Sequence, residues 1–130
     1  MKRILALLFF GLQIIAVSAQ DYKIDGKWTG IDDKGDSAII IFSANKAIME
    51  FGGEQASSFD YKINYTTNPI SMDLIMKNEV QEEVIPALIK FLDANTIKWE
   101  LFPYASSRPI KYSSESNEIN ETTIILKRIE

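Results

Sequence analysis

The side chains that could do chemistry in this chain are not the usual ones, because no His and no Cys occurs among its 130 residues. Without His the ordinary general base is missing, together with the Ser-His and Cys-His nucleophile pairs and the commonest metal ligand. Without Cys, a zinc site would need carboxylates alone, against the preference of zinc for nitrogen and sulfur. An enzyme made from this chain would have to rely on carboxylates, Lys or Tyr, so the expectation is a non-catalytic protein with neither cofactor nor metal. Asp32, Asp33 and Asp36 surround Lys34-Gly35, but their spacing is not that of an EF-hand loop and reads as a solvated hairpin tip. Ser106, Ser107, Ser113, Ser114 and Ser116 offer hydroxyls, yet no Lys or carboxylate is spaced to activate one of them. Arg108-Pro109 has two readings. Arg108 can bind a carboxylate or phosphate bidentately, or Pro109 can fix the backbone while Arg108 bonds carbonyls or pairs with an acid. Asn64-Tyr65-Thr66 and Asn120-Glu121-Thr122 match the N-glycosylation pattern, which matters only in a host with that machinery.

The remaining candidates are apolar. In Phe59-Asp60-Tyr61-Lys62-Ile63-Asn64-Tyr65 the aromatic and aliphatic residues alternate strictly with polar ones, the mark of a strand with one buried and one wet face. Ile70-Ser71-Met72-Asp73-Leu74-Ile75-Met76 repeats the pattern, with Ile75 as the one apolar residue on the wet side. Reading period two along the chain turns Met49, Phe51, Phe59, Tyr61, Ile63, Met72, Leu74, Met76, Ile89, Phe91, Ile97 and Trp99 inward. These residues either fill a core or line a pocket, since flexible Met side chains tolerate varied ligand shapes. The ligand-binding candidates are Met49, Phe51, Phe59, Tyr61, Met72, Met76, Trp99 and Arg108.

The elements that must position these residues are strands. Turn residues punctuate the apolar runs, as in an antiparallel sandwich or barrel. The runs predict eight strands: Gly26 to Ile31, Ala38 to Phe42, Ala47 to Phe51, Phe59 to Tyr65, Ile70 to Met76, Ala87 to Leu92, Ile97 to Leu101 and Thr122 to Ile129. Between Val80 and Leu92 a helical spacing also fits, with Pro86 in a first turn. The preferred reading there is a polar connection as far as Pro86 followed by a strand, because Asp93-Ala94-Asn95 looks like a hairpin turn. Tyr104 to Glu121 is rich in Ser, Asn and Glu without a clean period, and an irregular stretch of that length is either functional or mobile.

Before the first strand lies a leader. Lys2 and Arg3 precede an apolar run from Ile4 to Val17, broken only by Gly11 and Gln13, and Val17 and Ala19 stand at the −3 and −1 positions of a cleavage site. This reads as a secretory signal peptide over residues 1–19, cleaved near Ala19, with export to the periplasm or the extracellular space. Cleavage leaves residues 20–130 as a single domain with one core. It takes the 14 basic residues to 12 against 18 acidic ones, and the net charge from −4 to −6. Nucleic acid is therefore a poor partner, because affinity for phosphates rests on Lys and Arg, and no stable membrane insertion is expected. No disulfide can form, so packed strands alone must hold the domain together.

Gly26-Lys27-Trp28 in the first strand, the meander of strands and Arg128 in the last together resemble the lipocalin-like, calycin-type β-barrels, and short secreted bacterial families of that kind above all. Also similar are the hairpin Asp93 to Ile97, the pair Arg108-Pro109 and the closing Leu126-Lys127-Arg128. The likeness spans residues 22–130. It lacks a Thr-Asp-Tyr type motif in mid-chain, and the domain is shorter than most lipocalins. The resemblance implies an up-and-down eight-stranded barrel whose closed end is formed by Gly26 and Trp28, with Arg128 laid across the indole. It further implies a monomer that binds a small apolar or amphipathic molecule in the barrel. The alternative is a protein-interaction or inhibitor module whose loops 52–57 and 104–121 contact a partner.

Overall fold

The structure, a computed structural model, describes residues 22–129; the leader and cleavage site expected from the sequence lie outside them. The strands are β1 (Gly26–Ile31), β2 (Ser37–Ser43), β3 (Lys46–Phe51), β4 (Ser57–Asn64), β5 (Ile70–Lys77), β6 (Glu82–Asp93), β7 (Thr96–Leu101) and β8 (Thr123–Arg128). Each pairs antiparallel with the next, and β8 returns to β1, giving a closed eight-stranded up-and-down barrel. No helix occurs among the described residues.

Alternation explains the packing. In β2, Ala38, Ile40 and Phe42 are buried while Ser37 and Ser43 are exposed. The interior is filled by Ile40, Phe42, Met49, Tyr61, Met72, Leu74, Ile89, Ile97, Trp99 and Leu126. Phe42 stands edge-on to Tyr61 at 5.5 Å and to Trp99 at 5.8 Å, the geometry that aromatic quadrupoles favour. Eight strands enclose an interior that side chains can just fill, and here they fill its middle.

One end is plugged. Gly26 opens β1 at φ 135°, where a side chain would be strained, and this bends the preceding residues beneath the barrel. Ile24 is fully buried there. Its carbonyl accepts the Trp28 indole N–H at 2.7 Å, and its N–H donates to the Tyr65 hydroxyl at 3.0 Å. The Arg128 guanidinium lies 4.3 Å from the Trp28 ring centroid and donates to the carbonyls of Asp25, Lys23 and Ala94. The other end, reached by the β1–β2, β3–β4 and β5–β6 turns and the long β7–β8 connection, is the mouth.

Two expectations need correction. Residues 82–86 are strand rather than connection, because β6 begins at Glu82 and pairs with β5 from Lys77↔Glu82 to Ile70↔Ile89. Pro86 is tolerated inside it since the ladder with β7 begins only at Ala87; just past that end its carbonyl still accepts the Phe102 N–H at 2.8 Å, and the missing N–H falls at the end of the ladder, where a Pro costs little. Ile75 is buried although it faces outward, between its cross-strand partners Asp60 and Val84.

The seam between β8 and β1 leaves no room for a side chain at Gly30. β8 meets β1 over Trp28↔Arg128 and Thr29↔Lys127 only, and a Cβ at Gly30 would stand 2.4 Å from the Ile125 carbonyl oxygen. Gly30→Ala should therefore force β8 away from β1, at the roughly 1–3 kcal/mol or more of an overpacked interior. The check is a thermal melt, and an unchanged midpoint would mean that the seam yields freely.

Candidate functional site

At the mouth the packed interior gives way to a cavity of about 500 Å³. Its wall is Phe51 at the end of β3, Trp99 and Leu101 on β7, Pro103 just beyond, and Ile124 on β8; its rim is Asp32, Asp33 and Lys34 of the β1–β2 turn with residues 120–123. The turn is held by Asp32, whose carboxylate accepts the N–H groups of Lys34 and Asp36 at 2.9 Å each. Asn120 does the same opposite, accepting from Thr122 and Thr123 at 2.9 Å. Local side-chain to backbone bonds of this kind fix a loop without help from the sheet.

Trp99 lines the cavity where it meets the packed core. It is 1% exposed, between its cross-strand partners Ile89 and Ile124, and its indole N–H is buried with no hydrogen-bond partner. A buried donor left unmatched costs about 1–3 kcal/mol, and such groups in a native fold call for an explanation.

No family model, no curated protein and no solved structure matches this chain. The site must therefore be argued from its own residues. Of the ligand-binding candidates, Phe51 and Trp99 line the cavity. Met49, Tyr61 and Met72 lie in the packed core, and Phe59 and Met76 are half-buried. Period two tells which way a side chain points but not how far along the axis it sits. Leu101, Pro103, Ile124 and the acidic rim were missed for that reason, because their part in the site depends on where the turns fall in space.

Arg108 is on the outer wall. Its guanidinium pairs with Asp73 of β5 at 2.6 Å beside a shallow depression lined by Lys62, Asn64, Thr67 and Ser71. Around it the irregular 102–122 segment is strapped across the outside of the barrel. The Glu100 carboxylate accepts the Ser113 N–H at 3.0 Å, the Ser113 hydroxyl, and the Thr122 hydroxyl at 2.8 Å. The Lys98 ammonium donates to the carbonyls of Ser114 and Ser116 at 2.7 and 2.8 Å and lies 4.2 Å from the Tyr112 ring centroid. Lys98 and Glu100, on the outward face of β7, are consequently 2% and 1% exposed. Burial, with Glu100 adding to it, pushes the Tyr112 phenol well up from its usual range.

Proposed function

We propose that the protein is a non-catalytic, lipocalin-like binding protein, exported after cleavage near Ala19, that holds a small apolar or amphipathic molecule in the mouth of its barrel. What carries the reading is a mouth cavity of about 500 Å³ with the buried, unpartnered Trp99 N–H behind its wall, a volume within the roughly 300–1,000 Å³ typical of small-molecule sites. Apolar walls with one buried donor suit a ligand whose apolar body carries a single acceptor, such as a carbonyl or ether oxygen. The full core below the mouth limits that ligand to the mouth itself. A site of this kind needs no general base, in keeping with a chain that has no His.

The test is native mass spectrometry of residues 20–130, isolated gently from the exported fraction. An added mass of a few hundred daltons that is lost in Trp99→Phe, which keeps the apolar wall and removes the donor, supports the reading. A bare mass in both would overturn it. That result would turn attention to the interaction module, which the exposure of Tyr104 at 97% and Ile110 at 82% favours; exposed apolar residues on a braced loop are what a protein partner would use.

A further inference from the structure

We infer that the mouth selects an organic cation, an amine or quaternary ammonium head group attached to the apolar body. The inference rests on the binding reading above and adds the chemistry of the ligand's polar end.

The rim carries Asp32, Asp33 and Glu121 against Lys34, an excess of negative charge set around a low-dielectric cup. Walls of this kind focus the field of their charges and raise the local concentration of the opposite sign. Just inside the rim stands the ring of Phe51, 37% exposed, with the buried Trp99 behind it. Aromatic faces attract cations, and recognition of quaternary ammonium groups rests on such rings. The acids and the rings therefore favour the same sign of charge. An anionic head would meet the acids and the negative faces together, and the net charge of the chain, −4, opposes it further.

Lys34 does not cancel the rim. Its one positive charge stands against three carboxylates, and solvent screens the exposed Lys34, Asp33 and Glu121 alike. Asp33 and Glu121 are also exposed and form no ion pair among the described residues, so both are available to a ligand. The unpartnered N–H belongs to the same Trp99 that lines the cup; it would take an acceptor in the ligand body, while the rim takes a cation at its end.

The experiment uses the mature protein and three probes sharing one tail, decyltrimethylammonium, decanol and decanoate, each below its micelle-forming concentration. Binding is read by calorimetry at low and high salt. The expected order is ammonium tightest, alcohol intermediate and carboxylate weakest, with at least a tenfold spread that shrinks as salt rises. Asp33→Lys combined with Glu121→Lys should reverse the order without moving the melting temperature. Equal affinities for the three probes, or an unchanged order in the double variant, would overturn the charge selection while leaving the cup intact. No binding of any probe would overturn the cup as well.

Discussion

Trp28→Ala should destabilise the barrel by about 3–5 kcal/mol, the range of large-to-small aromatic changes in a packed core. More than volume is lost. Trp28 is fully buried, its indole N–H bonds the Ile24 carbonyl, and its ring carries the Arg128 guanidinium and meets Phe91 edge-on at 6.4 Å. The cation over the indole contributes about 0.5–2 kcal/mol according to its desolvation, and the Ile24 carbonyl would be left without its donor. For a domain whose whole stability is of the order of 5–15 kcal/mol, such a loss brings the variant close to unfolding at room temperature. Urea denaturation measures it, and an unmoved midpoint would falsify the closure role. Arg128→Lys is the discriminating companion. It keeps the charge but cannot present a planar fork to the carbonyls of Lys23, Asp25 and Ala94, so it should cost clearly more than a surface Arg-to-Lys change.

The second large effect is expected at Glu100. Glu100→Ala removes an acceptor that serves two hydroxyls and one backbone N–H, and hydrogen bonds to a charged group contribute about 1.5–3 kcal/mol each. With partial compensation by water once the strap lifts, a loss of about 3 kcal/mol is expected. Its signature is local: protease should cut within 102–122 of the variant while the barrel remains folded by circular dichroism. If the segment resists cutting as in the parent protein, the network is not what holds it. Tyr112→Phe is the contrasting change. The Tyr112 hydroxyl is buried without a partner, so its removal should leave the melting temperature unchanged or raise it. The sign of the pH effect follows from the upward shift. Tyr112 is held neutral in the fold, so its contribution is complete below the unfolded value near 10 and is lost as pH rises beyond it. The parent protein should therefore lose stability above pH 10 more steeply than Tyr112→Phe.

The barrel was legible because its signal is local and repeated. Alternation in β2, β4 and β5 and turn residues such as Ser43-Ala44-Asn45-Lys46 settle strand limits within a residue or two, and sequential hairpins leave few other topologies. Where the expectation failed, the cause lay outside the local window. Pro86 argued for a break, and nothing nearby in sequence reveals that β7 ends before reaching it. Lys98 and Glu100 look like solvated positions in a well-alternating strand, and only a segment more than ten residues downstream makes them buried. The site was half legible for the same reason. Phe51 and Trp99 could be found from their direction, whereas the rim is assembled from a turn at 32–34 and residues 120–123 that meet only when the sheet closes.

The clasp of Arg128 on Asp25 and Lys23 joins residues 103 and 105 positions apart. Contacts of such separation form late, since the entropy of closing the intervening chain must be met first. A chain emerging N-terminus first thus holds the free edge of β1 open until its final strand arrives. Until then that edge is the part of the molecule most exposed to pairing with another chain, and a nascent chain cut short before residue 123 would keep it permanently.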